Sequence, residues 1–401
     1  MEIDFNKLNF FMTQMAKYGN DNVQNDNRTY WQIVAEDICE GLQHHNEKAI
    51  AAAPFTKIGN DLISYASQKQ KSPKSIITFN FMPYMTAGDT QFLDVVECPV
   101  IGIYLDHPAS VLPYVIKNFQ NYKNFYHAVM AESHKEILLD YGVAPANIIL
   151  FPHGGSNVDH RAPAFKDRSQ NASFIGRVDD LLSTKEFAQT IGITDNHFIK
   201  GIQQLEENLL FHKSDLYKAG KNFLQSIELP FQLDTDWGAA FIKSIDHRVR
   251  TKRRMQLFSK LRIKDIHYYG TFSDRFRKLN PHATFHEPIN YQQSIEVMKD
   301  SKISLSDNIM DEAVIFRPYY AMANKSLVAS QFNSVMNVHY SPNVHMLDLD
   351  DSKIIKHINH LLETPDDAQN MIEETTTTYE NTHTFRSIST PIVNFLATLQ
   401  K

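Results

Sequence analysis

Short apolar runs alternate with helical patterns along the first 151 residues. The run at 75–81 is rich in β-branched residues and bounded by prolines, which predicts a buried strand. Three further runs predict strands at 99–105, 126–131 and 147–151. A helix is expected from Ser133 until Gly142, whereas residues 1 to about 75 predict mostly helix. Strands that alternate with helices indicate βαβ units and a parallel sheet.

The second half of the chain repeats this alternation around a long helical stretch. Strands are predicted at 172–176, 265–270, 283–286, 303–305 and 326–329, and helices at 352–362 and 365–382. Residues 178–260 lack clear strand signals and predict a helical insertion. A chain of 401 residues favours two domains, here 1–165 and 166–385, with the polar segment 161–171 as the crossing between them and a last helix at 386–401.

Composition narrows the function classes. A hydrophobic content of 42% is typical of a globular protein, and a net charge of −6 argues against nucleic acid as a partner. Only Cys39 and Cys98 occur, so neither a disulfide framework nor a cysteine-rich zinc site is expected, and a cytoplasmic location is predicted. No apolar run reaches about 18 residues, so no membrane span is predicted. A peripheral membrane contact stays compatible with the sequence.

The stretch Ile289–Ser330 carries the densest candidate chemistry. A polar segment with Tyr291 precedes an amphipathic helix, a strand, a polar loop that ends at Glu312, and a second helix that carries Arg317 and Tyr320. Ligands of α/β domains bind outside the carboxyl ends of strands and at helix starts. The polar residues expected there are Ser306, Asp307, Asn308, Glu312 and Arg317. The sequence therefore predicts a ligand site in this loop.

Three sets of residues form a recognisable pattern: 301–306 with 317–323, 78–83 with 100–108, and 382–386. Together they resemble the CgeB-like (spore-maturation protein) branch of the GT-B glycosyltransferases. The resemblance implies an α/β fold of two Rossmann-like domains facing a cleft. The first domain would bind an unidentified acceptor (a glycan, a lipid-linked molecule or a protein) and the second a nucleotide-sugar donor. The final helix would pack back on the first domain.

The same resemblance implies the chemistry. The protein would be a glycosyltransferase of hexosyl or N-acetylhexosaminyl type, retaining and metal-independent, with no cofactor beyond its nucleotide-sugar co-substrate. Arg177 and Arg317 would neutralise the leaving diphosphate, since a guanidinium stays charged and offers a planar fork of donors. Gly176 would let the backbone approach a phosphate closely. Tyr291, Ser306, Asp307 and Asn308 would contact the donor.

Glu312 would hold hydroxyl groups of the donor sugar. Many retaining GT-B enzymes carry a second carboxylate eight residues later, where this chain has Tyr320, which offers one hydroxyl for a ribose. The glycine that the family has after this helix is replaced by Lys325. Asp106 and His107 follow a strand of the first domain and would position the sugar or the acceptor. Tyr320 and Lys325, which depart from the family pattern, leave open a degenerate GT-B protein that binds nucleotide or glycan without catalysis.

Other motifs have simpler interpretations. The basic run 248–254 favours a solvated helix face, with one member within reach of a phosphate, and the turn 153–156 favours a hinge. The acidic triplets 234–236 and 348–350 would suit Mg²⁺ or Mn²⁺ in a GT-A-type, metal-dependent transferase. The second triplet is interpreted instead as a helix cap.

Overall fold

The computed structural model describes residues 10–13, 30–45, 49–52, 75–79, 86–87, 90–96, 98–110, 122, 124–192, 194–211, 215–226, 236–308 and 312–399. The chain divides into two compact units. Unit 1 comprises Met1–Asn157, Asn290–Gln292 and Tyr379–Lys401, and unit 2 comprises Val158–Ile289 and Gln293–Thr378. Within the described ranges, no helix is long and apolar enough to cross a membrane.

Unit 1 is built on a six-stranded parallel sheet. Its strands are β1 (Phe10–Thr13), β2 (Ala49–Ala52), β3 (Ser75–Phe79), β6 (Val100–Ile103), β7 (Phe125–Val129) and β8 (Ile148–Leu150), and β4 (Thr86–Ala87) pairs separately with β5 (Thr90–Gln91). The sheet order is β2-β1-β3-β6-β7-β8. Its helices are α1 (Tyr30–His44), α2 (Phe92–Val95), α3 (Glu132–Asp140), α14 (Phe385–Ile388) and α15 (Thr390–Leu399).

The four strands predicted in the first half are confirmed, as is the helix that ends before Gly142, which has a φ of 80°. The prediction of mostly helix before residue 75 is wrong for β1 and β2. Each is a four-residue apolar run, and such a run carries too little periodicity to distinguish a buried strand from a helix. The helix α1 is amphipathic and buries Val34, Ile38 and Leu42.

The C-terminal segment is part of unit 1 and pairs with the glycine turn at 153–156. Gly155 forms a β-bridge with Thr384, and its N–H donates to the carbonyl oxygen of His383 at 3.0 Å. The hydroxyl of Tyr379 donates to the Ser156 carbonyl oxygen. A Cβ on Gly154 would lie 2.6 Å from the His383 oxygen, so the turn needs glycine for this close approach. The glycine turn 153–156 and the C-terminal motif 382–386 are therefore in direct contact within unit 1.

Unit 2 contains a second six-stranded parallel sheet. Its strands are β9 (Gln170–Val178), β10 (Ile266–Phe272), β11 (Thr284–His286), β12 (Ser301–Leu305), β13 (Leu327–Ser330) and β14 (Leu347–Asp348). The order β11-β10-β9-β12-β13-β14 is the 3-2-1-4-5-6 order of a dinucleotide-binding fold. Phe174, Tyr268, Phe272 and Phe285 form an aromatic core on one face of this sheet. The five strands predicted in this half are confirmed.

The helices of unit 2 are α4 (Thr184–Thr190), α5 (Asn196–Phe211), α6 (Leu216–Ser226), α7 (Asp236–Phe258), α8 (Asp274–Leu279), α9 (Tyr291–Asp300), α10 (Phe316–Ala323), α11 (Ser334–His339), α12 (Ile354–Glu363) and α13 (Pro365–Thr382). Two of them, α9 and α13, begin or end in unit 1. The four helices α4 to α7 lie between β9 and β10. Four helices thus form within the described part of the stretch that lacks strand signals.

The basic run lies on α7 and is largely internal. Arg248 and Lys252 both bind the carboxylate of Glu206, whose side chain is completely buried, and Arg253 donates to the Leu210 carbonyl oxygen at 3.2 Å. Only 4% of Arg248 and of Arg253 is exposed, so the prediction of a solvated face is wrong. Buried Ile245 and Val249 precede Arg253 at helical spacing and place it on the same inward face.

Arg168 connects the segment that enters unit 2 to the ends of two helices. Its guanidinium donates to five carbonyl oxygens, those of Pro163, Met298, Ser301, Asn324 and Lys325. Burial lowers the pKa of Arg168 to about 10, and the nearby Asp300 charge opposes this effect, so the side chain stays charged near neutral pH. One cation thereby satisfies carbonyl groups that the ends of α9 and α10 leave without intrahelical partners.

Candidate functional site

The strand order of unit 2 reverses between β9 and β12. Ligands of such sheets bind outside the carboxyl ends of the strands at this switch point. There β9 ends at Val178, and Arg177 is its penultimate residue. The strand β12 ends at Leu305, directly before Ser306, Asp307 and Asn308. The topology therefore brings the predicted residues of both segments to one edge of the sheet.

Asp307 lies between two guanidinium groups at this edge. The Nε of Arg254 lies 2.9 Å from Oδ2 of Asp307, and an Nη of Arg317 lies 3.5 Å from its Oδ1. Arg254 also donates to the carbonyl oxygen of Arg177 at 2.7 Å. The carboxylate is 1% exposed, whereas the side chain of Arg317 is 30% exposed. Two cations thus share one buried anion, and Arg317 is the more exposed of the two.

The ionisation of Asp307 follows from this arrangement. Burial raises the pKa of its carboxyl group, but the charges of Arg254 and Arg317 and the hydrogen bond from Arg254 outweigh burial, so the pKa lies below its ordinary value. Asp307 is therefore ionised at neutral pH. Both guanidinium carbons also lie 5.8 Å from the centre of the Phe174 ring, a distance typical of cation–π contacts.

Two glycines shape the neighbouring ends of β9 and β10. Gly270 has a φ of 136°, and a Cβ there would lie 1.8 Å from the Gly176 carbonyl oxygen. A Cβ on Gly176 would lie 2.6 Å from the Phe174 ring. Gly176 thus leaves room for the ring beneath the arginines, in addition to the backbone approach predicted from its sequence. The Arg177 side chain is 67% exposed and binds Asp179, which also contacts His247 of α7.

Four buried polar atoms surround the ends of β12 and β13. They are Ser306 Oγ, Asn308 Oδ1, Ser330 Oγ and Gln331 Oε1, and none has a hydrogen-bond partner among the residues that the structure describes. Leaving a buried polar atom unsatisfied costs about 1–3 kcal/mol, so native proteins rarely concentrate several in one place. Such a concentration at a switch point indicates a ligand site.

Two other predicted donor contacts lie on either side of the start of α10. Glu312 is exposed in the loop before α10, and Tyr320 lies inside α10 with 1% of its surface exposed. The tyrosine is thus packed into unit 2 rather than presented at its surface. Lys325, at the position of the family's glycine, has a φ of 53°. The N–H groups of Lys325 and Ser326 donate to Met322 and Ala321, which is a Schellman C-cap with the lysine at its left-handed position.

The remaining predicted residues belong to unit 1. Asp106 and His107 follow β6, where Asp106 is exposed and His107 is buried. His107 Nδ1 accepts the Ala109 N–H at 3.2 Å, and its ring contacts the His134 ring edge to face with centres 4.8 Å apart. Tyr291 is the first residue of α9 and is grouped with unit 1. The structure does not bring these residues into the same unit as the arginines.

The described residues of the two acidic triplets do not form a metal site. Among the described residues, no group of three or more His, Cys, Asp or Glu side chains could hold a metal ion. Asp234 and Thr235, and the side chain of Asp236, lie outside the described residues. In the second triplet, Asp350 binds Arg253 and accepts from Gln331, while Lys353 is the N-cap of α12 and makes no side-chain cap bond. The residue directly before α12 is Lys353 and not a member of the triplet, so the helix-cap interpretation is wrong for the triplet, although the neighbouring Asp351 accepts the Lys353 N–H at 2.8 Å.

Arg254 is a residue of the site that sequence reasoning did not single out, and Ser330 and Gln331 are two others. The charge of Arg254 is one of five in the run 248–254, and composition alone does not rank them. The signal that separates them is the apolar spacing of α7, which turns Arg253 inward and leaves its neighbour Arg254 beside the sheet edge. Arg254 is 14% exposed and reaches Asp307 from there.

Comparison with known proteins agrees with this architecture. Residues 248–394 match a family model described as glycosyl transferase-like, and this segment contains Arg254, Asp307 and Arg317. An α-glucosyltransferase solved with UDP-glucose and DNA containing an abasic site matches with a TM-score of 0.54 and 8% identity over 97% of this chain and 98% of that chain. The chain has the GT-B fold. The predicted fold class is thereby confirmed.

One further similar structure supports the same fold, and a second is reported for the extent of its match. The sucrose-phosphate synthase of Thermosynechococcus elongatus matches with a TM-score of 0.51 and 10% identity, over 98% of both chains. The chain spans about half the length, 54%, of TarM, to which it is 12% identical with a TM-score of 0.41. No curated protein sequence matches the chain significantly.

Proposed function

We propose that the protein is a glycosyltransferase that moves a sugar from a nucleotide-sugar donor to an acceptor. The observation that carries this proposal is the pair Arg254 and Arg317 on Asp307 at the switch point of unit 2. A glycosyl transferase-like family model matches the segment that holds all three residues. Two guanidinium groups at the switch point of the sheet suit an anionic ligand, and the phosphates of a nucleotide are such a ligand.

The proposed chemistry is transfer by electrostatic stabilisation. As the bond from the sugar to the diphosphate breaks, negative charge develops on the leaving group and the sugar becomes oxocarbenium-like. Arg317, Arg254 and the exposed Arg177 stabilise that negative charge without reorganising, which supports a metal-independent reaction. Glu312 is exposed in the loop before α10 and holds sugar hydroxyls in this proposal, while Asp106 and His107 are assigned to the sugar or acceptor.

The finer properties are also proposals. The resemblance to the CgeB-like branch supports a retaining reaction and a hexosyl or N-acetylhexosaminyl donor. The acceptor is a glycan, a lipid-linked molecule or a protein, and a lipid-linked acceptor would bring the enzyme to a membrane surface. UDP-glucose is the first donor to test, because the solved α-glucosyltransferase of this fold is bound to it.

A second candidate is a GT-B protein that binds nucleotide or glycan without catalysis. The observation in its favour is Tyr320, which stands where many retaining GT-B enzymes carry their second carboxylate and is 1% exposed. A buried tyrosine cannot hold a ribose in two-point fashion. Turnover of the donor distinguishes the two candidates.

The test measures nucleoside diphosphate released from a panel of UDP-, GDP- and ADP-linked hexoses, with water as surrogate acceptor. The protein is assayed with EDTA, as wild type, as Arg317→Gln, and as the control Arg262→Gln, whose exposed guanidinium donates to the Ser259 carbonyl oxygen. Release in EDTA that falls at least tenfold in Arg317→Gln alone supports the proposal. Binding without release supports the second candidate. Release that EDTA abolishes and Mn²⁺ restores contradicts metal independence.

A further inference from the structure

Four buried polar side chains line the carboxyl ends of two neighbouring parallel strands in unit 2. Ser306 and Asn308 follow β12, whereas Ser330 ends β13 and Gln331 follows it. The two strands pair with Leu305 opposite Ala329, and the Ser306 N–H donates to the Ala329 carbonyl oxygen at 2.9 Å. All four residues are at most 2% exposed. They therefore form one short buried edge, which we call the polar edge.

The amide groups of the polar edge have fixed orientations. Gln331 Nε2 donates to Asp350 Oδ1 at 3.1 Å, and Asn308 Nδ2 donates to Met336 Sδ at 3.3 Å. Each NH₂ group thus has a partner, and the amide atoms without one are the carbonyl oxygens Oε1 and Oδ1, which can only accept. Neither oxygen has a partner among the described residues, and the same holds for the hydroxyls of Ser306 and Ser330.

The two carbonyl oxygens without a described partner determine which ligand groups can bind at the polar edge. Ionised phosphate oxygens also only accept hydrogen bonds, so they cannot satisfy an amide carbonyl. A sugar hydroxyl donates one hydrogen bond and accepts others, and it satisfies both the carbonyls and the serine hydroxyls. A ligand rich in hydroxyl groups therefore complements the polar edge.

The polar edge adjoins the cation pair of the proposed site. Asp307, which binds Arg254 and Arg317, lies between Ser306 and Asn308 in the sequence. Asp350, which orients Gln331, is itself held by Arg253 at 3.4 Å. The region thus has cations close to carbonyl oxygens that can accept hydrogen bonds from hydroxyl groups. This arrangement suits a ligand in which a phosphate is bonded to a polyhydroxyl group.

We propose that Asn308, Gln331 and Ser330 bind hydroxyl groups of the donor and set its specificity. This inference rests on the proposed function, since it assigns a role within the same donor site. The hydroxyl groups belong either to the transferred sugar or to the ribose of the nucleotide. Both sources present the same chemistry, and nucleotide analogues separate them.

The test is isothermal titration of the full-length protein with UDP-glucose, UDP and 2′-deoxy-UDP, or with the matching GDP or ADP compounds if those bind more tightly. The variants are Asn308→Leu, Gln331→Leu and Ser330→Ala. The control is Ser304→Ala on β12, whose buried hydroxyl already has a partner in Ser326 at 2.8 Å. Ser330→Ala removes an oxygen with no described partner, so its thermal midpoint without ligand should equal or exceed that of wild type.

A sugar contact predicts that the three variants weaken UDP-glucose at least tenfold and leave UDP within twofold. A ribose contact predicts that they weaken both UDP and UDP-glucose; 2′-deoxy-UDP is unchanged if the contact is to the 2′-hydroxyl and is also weakened if the contact is to the 3′-hydroxyl. Affinities equal to wild type for all three compounds would overturn the inference and leave the donor site intact, because the cation pair still binds the nucleotide. If wild type binds no compound of the panel, both the inference and the proposed function are overturned.

Discussion

The Arg254 guanidinium and the Asp307 carboxylate are joined at 2.9 Å although 53 positions separate the two residues in the sequence. Arg254 comes from the last helix of the insertion, and Asp307 follows the strand at the switch point of the sheet. The contact therefore couples the insertion to the region where the fold binds ligands. On the same helix, Arg248 and Lys252 bind Glu206 of the insertion, so basic residues of α7 contact both the insertion and the sheet edge.

Arg168 should be a main determinant of the stability of unit 2. Arg168→Met leaves five buried or partly buried carbonyl oxygens without their shared donor, and we expect the free energy of unfolding to fall by about 3 kcal/mol. Urea unfolding followed by circular dichroism measures this loss. Arg262→Gln, an exposed arginine, is the control and should change stability by less than about 0.5 kcal/mol. Equal stabilities for the two variants would contradict the assigned role.

Lys325 occupies a conformation that suits glycine, so Lys325→Gly should stabilise the protein. A φ of 53° at the C′ position of a Schellman cap costs a non-glycine residue roughly 0.5–1 kcal/mol, and glycine removes this cost. The expected gain in unfolding free energy is of that order. Lys325→Ala keeps the strain and should give no gain. A gain in Lys325→Ala as large as in Lys325→Gly would point to side-chain charge instead.

Gly270 should tolerate no side chain. Gly270→Ala places a Cβ 1.8 Å from the Gly176 carbonyl oxygen, in backbone that cannot move without opening the β9–β10 pair, and we expect a loss of more than about 2 kcal/mol. The matched control is Gly192→Ala, which has a φ of 81° but open space around the new methyl group. The control isolates backbone strain, about 1 kcal/mol. Equal losses in both variants would show that the clash relaxes.

Apolar periodicity was sufficient to predict the α/β class and the strand positions from residue 75 onward. Polar residues at strand ends were sufficient to predict a ligand site in the loop of Asp307. These features depend on neighbours in sequence. The partnership of Arg254 with Asp307 does not, because it depends on where an insertion of about 80 residues returns to the sheet. The burial of Tyr320 depends similarly on which face of α10 meets the sheet. β1 and β2 were too short for periodicity to separate strand from helix.

His127 should make the stability of unit 1 depend on pH below neutrality. Burial lowers the pKa of His127 to about 3, and its Nδ1 lies 2.8 Å from the Tyr104 hydroxyl. In the unfolded chain the pKa is about 6.5, so between about pH 6.5 and 3 the unfolded state binds a proton that the folded state does not. Stability therefore falls with decreasing pH, by about 2 kcal/mol from pH 7 to pH 5 for this one group.

The check compares wild type with His127→Gln in urea unfolding at pH 7 and pH 5. Glutamine does not titrate, so the variant should lose about 2 kcal/mol less than wild type over this interval. The comparison cancels the contributions of all other titrating groups. Parallel losses in the two proteins would show that His127 is protonated in the folded state at pH 5.

The central claim is that the cation pair on Asp307 binds the phosphates of a nucleotide. Its most direct test is isothermal titration of nucleoside diphosphates, in EDTA, into wild type, Arg254→Gln, Arg317→Gln and the control Arg262→Gln. The account predicts binding by wild type and by the control, and affinities at least tenfold weaker, or about 1.4 kcal/mol, in the two site variants. Equal affinities in all four proteins, or no binding by wild type to any nucleoside diphosphate, would contradict it.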